Sequence, residues 1–574
     1  TATQVSKLTT DQVGALTAAH AAVLQDDRLA AMGTDQVVAL TTAQIDDLVA
    51  SRLAAMGTDQ VAALETVDVA QMTTDQIRGL TETQVAAMTS DQVVALNTAQ
   101  LPNMIDAQVA AFTTDQVGAI ETRDLVLMGA SQVSAMNTAQ IANLGTAQIA
   151  AMTTDHAVAL LEEQIAALET DQVQALTTAQ ASTLTAARLS GMGTDQVAAI
   201  ETRDLTLMTT DQIGALTATQ VSKLTTDQVG ALTAAHAAVL QDDRLAAMGT
   251  DQVVALTTAQ IDDLVASRLA AMGTDQVAAL ETVDVAQMTT DQIRGLTETQ
   301  VAAMTSDQVV ALNTAQLPNM IDAQVAAFTT DQVGAIETRD LVLMGASQVS
   351  AMNTAQIANL GTAQIAAMTT DHAAALLEEQ LAALTTDQVI ALTTTQMPHL
   401  AADRMVGMGT DQIAALETRD LNAMTTDQIR TLEQSQIAEL TTEQISRMVS
   451  TQIGAFNEDQ LDGMGTDQIA ALTTAQFTQI AAAKLGILAS DQVAALSTAT
   501  TAAITTDQLT VLSGEQFKAF TTDQVQALTT AQMPAVTFDH LDEMTTDKVA
   551  ALSTKQLSNI TAGRLEALTT EQVG

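Results

Sequence analysis

The stretch TTDQVGAL, residues 9–16, recurs in variant form throughout the chain, in an eight-residue frame that starts at Thr1 and never slips. Cut in that frame, the 574 residues give 71 complete octads and a six-residue remnant, TTEQVG. Position 8 is Leu, Met, Ile, Phe or Val in every complete octad, position 5 is nearly always Val, Ile, Leu or Met, and position 4 is always polar, usually Gln. A short fixed period marks an array whose units contact their neighbours, and it overrides the several-domain prior that length alone suggests. No linker, Pro/Gly-rich hinge or charge block interrupts the frame, so residues 1–574 read as a single continuous array.

One long helix does not suit this octad, because eight residues at 100° each advance the apolar stripe by about 80° per repeat. One strand does not suit it either, since positions 5 and 8 would point to opposite faces and the Ala and Gly common at positions 6 and 7 are poor strand formers. A short helix fits. With Thr at position 1 as N-cap, Gln at position 4 becomes N3 of a capping box and Asp at position 3 complements the helix dipole. The preceding Leu or Met and the Val at position 5 then form a hydrophobic staple. In the opening octad Thr9 caps, Gln12 closes the box, and Val13 and Leu16 form the core. The expected fold is all-α, a solenoid of one- to two-turn helices, one per octad. Helices this short do not hold in water alone, so stability has to come from stacked coils. Two or three helices per coil, packed at about 8–10 Å, would make a rod on the order of 200–300 Å long.

Two features qualify that expectation. Glycine fills position 1 in eleven octads, among them Gly33, Gly57, Gly129, Gly193 and Gly409, where it is expected to end one helix in the left-handed region and cap the next. All four prolines, Pro102, Pro318, Pro398 and Pro534, sit at position 6, which should donate a helical hydrogen bond. There the helix must be a single turn or the cap must lie later, and a β-solenoid stands as the alternative fold.

A longer period overlies the octad. Residues 1–216 are duplicated as 217–432, and 1–157 are identical to 217–373, divergence starting where Val158 corresponds to Ala374. Duplication in whole octads points to length as the selected property.

Composition narrows the function classes. Net charge is −46 and the pI is about 4.1, which opposes binding to nucleic acid or an anionic membrane surface. No run approaches the eighteen or so apolar residues of a spanning helix, and no basic segment followed by an apolar one marks a signal peptide. There is no Cys, Trp or Tyr, so disulfides and thiol catalysis are excluded and the interior must be aliphatic.

Candidate chemistry is sparse. Asp11, Asp35, Asp59, Asp75 and Asp91, all at position 3, would stack in rows able to gather Ca²⁺, or would simply complement helix dipoles. Neither D-x-[DN]-x-[DN]-G nor G-G-x-G-x-D occurs. Five histidines, His20, His156, His236, His372 and His540, replace Gln at position 4 and read as cap partners, while His399 stands at position 7. Arg28, Arg52, Arg188, Arg244, Arg268, Arg404 and Arg564 at position 4, with Asp68, Asp124, Asp204, Asp284, Asp340 and Asp420 at the same position, could pair as a ladder along one edge or stand as solvated charges. No G-x-S-x-G, Walker or dinucleotide motif is present, so no catalytic residue is assigned and an enzyme is not expected. The Thr surface also raises an ice-binding reading, although the threonines are adjacent and not spaced T-x-T.

The runs GTAQIAAM (145–152) and TTDQVQALTTAQ (521–532) resemble the low-complexity arrays of very large secreted or cell-surface proteins of Gram-negative bacteria, described as adhesin-like, RTX-like or haem-utilisation proteins. That resemblance implies export and a structural role. The resulting expectation is an extracellular solenoid that self-assembles, end to end or laterally, into a filament, sheath or surface layer, or that serves as an adhesin stalk. The alternative is an acidic rod that binds Ca²⁺, polysaccharide, another cell-surface component or a protein partner.

Overall fold

The octad Thr81–Met88 shows how the repeat folds. Thr81 is extended (φ −72°, ψ 158°), and its hydroxyl accepts the backbone N–H of Gln84 at 3.3 Å. The Gln84 Oε1 in return accepts the Thr81 N–H at 2.8 Å, which completes the capping box. Helix Glu82–Ala87 follows, and it closes with a tight Met88 N–H to Val85 carbonyl bond of 3.2 Å. Positions 1 to 3 face solvent, positions 4, 5 and 8 are buried, and positions 6 and 7 are half-buried.

The bend between helices consists of two extended residues. Leu80 (φ −63°, ψ 138°) and Thr81 both lie near polyproline geometry. Glycine is therefore not required for left-handed backbone at position 1, contrary to expectation. Gly33 is extended at φ −75°, ψ 162°, and no described residue has positive φ.

The computed structural model describes residues 1–566 and 568–573; Gly574, which ends the remnant, lies outside them. Among these residues there are helices of α and 3-10 type and no strand, so the β-solenoid alternative is overturned. The α-helices are four to six residues long, about one per octad. They belong to two compact units, Thr1–Met288 and Thr289–Gly574. In the first unit helix Thr58–Ala62 packs on Glu82–Ala87, three octads later; in the second, Thr426–Thr431 packs on Ser450–Ala455 at the same spacing. The buried hydrogen bonds between coils span 28 and 31 residues in both units. One coil therefore holds about three and a half octads, more than the two or three anticipated from sequence. Each unit is a solenoid whose interior is built from positions 5 and 8, such as Val85 and Met88, or Ile429 and Leu432.

The prolines shorten the helix, as one of the two readings required. Leu101–Asn103, Leu317–Asn319, Met397–His399 and Met533–Ala535 are single 3-10 turns with Pro in the first turn. In the first of these the Asn103 side chain donates to the Ala99 carbonyl at 2.7 Å, capping backbone that a regular helix would satisfy itself. Ala402–Gly407 and Ala482–Ile487 are also 3-10. Both lack a cap oxygen at position 1 and a Gln at position 4, so neither half of the box can form.

Candidate functional site

Position 4 is where the buried polar chemistry of the chain is concentrated. Gln84 uses its carbonyl oxygen for the capping box and its amide nitrogen for the preceding coil, donating to the carbonyls of Leu53 at 2.8 Å and Met56 at 2.7 Å. Gln428 does the same in the second unit, toward Met397 at 2.7 Å and Leu400 at 2.6 Å. One buried amide thus closes its own helix and binds the coil before it through positions 5 and 8. Each such bond contributes about 1 kcal/mol net, and leaving one end unmade costs about 1–3 kcal/mol.

The bridge does not depend on the helix type. Gln100 introduces a 3-10 turn, yet it still receives the Asn97 N–H at 2.8 Å and donates to Val69 and Met72 at 2.8 and 2.7 Å.

Other residues at position 4 keep the donor role. His156, His236, His372 and His540 place Nε2 at 2.7–2.9 Å from the carbonyl 28 residues earlier, and Nδ1 accepts the N-cap N–H. Their assignment as cap partners is correct and incomplete, because the ring also ties two coils. His20 makes the same cap contact at 3.4 Å and is exposed, as is His399. Arg188 donates to the Ala157 and Val158 carbonyls, Arg564 to that of Val536, Lys484 to that of Phe456, and Thr500 to that of Leu472.

The Arg–Asp ladder does not form. Arg52 and Arg268 pair with Asp26 and Asp242, at position 2, at 3.1 and 3.2 Å. Four of the six position-4 aspartates meet instead the Arg beside them in sequence, as Arg123 does Asp124 at 3.4 Å while also contacting Glu121 at 2.6 Å. The reason lies in the register, which sets position-4 side chains such as Gln84 and Arg188 over backbone carbonyls and not over another position 4.

Asp11, Asp35, Asp59, Asp75 and Asp91 all lie exposed in first helical turns. Among the described residues no three His, Cys, Asp or Glu side chains converge in a way that could hold a metal ion. The surface clefts are shallow. One is lined by Gln241, Asp242, Asp243, Ser267 and Arg268, and its counterpart 216 residues earlier by the matching residues around Asp26 and Arg52. No described helix is long and apolar enough to cross a membrane.

The sequence missed the second use of the Gln amide. The signal was present in the invariably polar position 4, which burial of positions 5 and 8 draws inward.

Residues 27–66, 61–98, 117–160, 197–234, 277–314, 333–377, 413–450 and 501–537 match the family described as the ALTTAQ repeat, and together they cover more than half of the chain. No curated protein matches the sequence. Among solved structures, one titled APUM23-GGAGUUGACGG is 12% identical, with 86% of this chain and 90% of that chain covered and a TM-score of 0.15. Importin13 in a cytosolic state is 10% identical, over 97% of this chain and 74% of that one, with a TM-score of 0.14. Scores this low bear on neither fold nor ligand.

Proposed function

We propose, for a chain that belongs to the ALTTAQ repeat family, an extracellular structural role in which the solenoid self-assembles into a filament, sheath or surface layer or extends an adhesive tip. The observation that carries this reading is the use made of position 4. Buried polar side chains, which elsewhere build ligand sites, are spent here on joining one coil to the next, octad after octad in both units. What faces solvent is mainly Thr, Asp and Ala of positions 1 to 3. An exact internal duplication of 157 residues fits a product valued for length. The absence of Cys fits folding outside the cell without a disulfide apparatus, and net charge −46 disfavours nucleic acid as a partner. No catalytic role is assigned. Negative-stain microscopy of the purified chain tests assembly: ordered polymers or sheets support it, and monodisperse single particles at all concentrations refute it. Surface labelling of intact cells tests location.

A second reading, an acidic array that gathers Ca²⁺ or binds a polysaccharide, is favoured by the exposed first-turn carboxylates such as Asp35 and Asp59. Calorimetry with Ca²⁺ that shows no heat removes its cation-binding form.

A further inference from the structure

Six octads break the donor rule. ETVDVAQM (65–72 and 281–288), ETRDLVLM (121–128 and 337–344), ETRDLTLM (201–208) and ETRDLNAM (417–424) carry Asp at position 4, always with Glu at position 1. Asp68, Asp124, Asp204, Asp284, Asp340 and Asp420 are 0–4% exposed. A carboxylate has no proton to donate. The register nevertheless gives it the neighbours that accept from Gln, His, Arg, Lys and Thr elsewhere, the carbonyls 28 and 31 residues earlier. In three of the six a threonine serves one oxygen: Thr42, Thr178 and Thr258 donate to Asp68, Asp204 and Asp284 at 2.7, 2.6 and 2.7 Å. Asp68 Oδ2, Asp124 Oδ1, Asp340 Oδ1 and both oxygens of Asp420 are closed off from solvent without a hydrogen bond. Arg419 approaches Asp420 Oδ2 only to 3.5 Å.

We propose that Asp68, Asp124 and Asp420 each take up a proton in the folded array and donate it to a carbonyl of the coil before, so that acid strengthens coil stacking at their positions. Reach is sufficient, because the shorter side chain of Thr500 spans the same gap to the Leu472 carbonyl at 3.2 Å. Burial pushes the carboxyls of Asp68, Asp124 and Asp420 above the ordinary aspartate range; Thr42 opposes this at Asp68, Arg123 at Asp124 and Arg419 at Asp420, while Glu65, Glu121 and Glu417 add to it. The helices packed on Asp68 bring Asp46 and Asp91, and those packed on Asp420 bring His399, Glu443 and Arg447. Around Asp124 the charged groups are Glu121 and Arg123, for the elements packed on it, Leu101–Asn103 and Thr146–Ala151, hold none.

A bound cation is the competing way to satisfy these carboxylates. The unpartnered oxygens present no surface to an ion. In four of the octads an arginine already lies between the two acids, as Arg203 does at 2.9 Å from Glu201 and 3.3 Å from Asp204.

An acid whose folded pKa is raised stabilises the fold fully below its unfolded value, and that contribution is lost as pH rises through the folded value. The test compares the full chain with a variant in which Asp68, Asp124 and Asp420 are changed to Gln, the residue that fills position 4 in most octads. Thermal unfolding is followed by circular dichroism between about pH 4 and about pH 7.5. The melting temperature of the parent is expected to fall more steeply with pH than that of the variant, the two converging at the acid end. A carboxylic-acid infrared band near about pH 5 is expected to be weaker in the variant. Parallel pH profiles would overturn the proposal in favour of general repulsion within a chain of charge −46. Stabilisation of the parent alone by Ca²⁺ at neutral pH would overturn it in favour of a cation site. If the threefold variant does not fold, D124Q and D420Q give the same comparison singly.

Discussion

The imidazole of His540 lies flat on the ring of Phe517, with centroids 4.4 Å apart and planes 4° from parallel. Its Nδ1 accepts the Thr537 N–H at 3.1 Å and its Nε2 donates to the Leu512 carbonyl at 2.7 Å, an arrangement that uses the neutral ring. A second proton would have to sit on Nδ1, where an N–H already points. Burial lowers the His540 pKa, against the pull of the Leu512 carbonyl and Asp539 and with a smaller push from Arg564. A depressed base contributes stability that is present above its unfolded value, 6.5, and is lost as pH falls through the folded one. H540Q should therefore lessen the loss of stability on acidification in this part of the chain, and an NMR titration should place the His540 midpoint below 6.5. This dependence runs opposite to that proposed for the buried aspartates, and the substitutions separate the two.

Removing one inter-coil amide should weaken the array locally. Gln84→Ala deletes the bonds to Leu53, Met56 and Thr81 and should cost about 1–3 kcal/mol. Gln84→Glu keeps the size but loses both donors, and it should cost at least as much at neutral pH. Hydrogen exchange should quicken in the octads around residues 53–56 and 81–88 first, because repeat units stabilise mainly their neighbours. Exchange unchanged there would refute the role of the amide.

Two glycines should respond oppositely to alanine. At Gly454 an added Cβ would meet the Gln479 carbonyl oxygen of the next coil at 2.8 Å, so Gly454→Ala should destabilise by about 1–3 kcal/mol. At Gly191, within helix Ala186–Gly191, nothing lies within 4 Å, and the same change should stabilise by about 0.5–1 kcal/mol. Denaturant midpoints of the two variants shifting in the same direction would contradict this.

Thr81→Ala removes the oxygen that accepts the Gln84 N–H and should cost about 1 kcal/mol. Thr81→Ser should restore most of it, as measured by urea unfolding. Equal losses in the two variants would show that packing of the threonine methyl, and not capping, is what matters.

The capping box was legible in T-x-x-Q because both of its bonds close within four residues. The second partner of the same Gln was not, since it depends on how many octads make a coil, and a repeat identical along its length does not disclose that number. Gly33 misled for a related reason: the pair of extended residues at positions 8 and 1 makes the bend without left-handed backbone. Pro102 told more, since its missing N–H bears directly on helix length. Asp124 and Arg188 suggested a ladder because opposite charges invite pairing, whereas side chains in this register meet main chain.

The bonds that the position-4 Gln amides make between coils point one way. Gln84 donates to Leu53 and Met56, and Gln428 to Met397 and Leu400, each toward residues made earlier in synthesis. A chain that emerges amino end first thus lays each of these amides on acceptors already in place. Growth and folding can proceed in step from a single template, whatever the number of octads still to come.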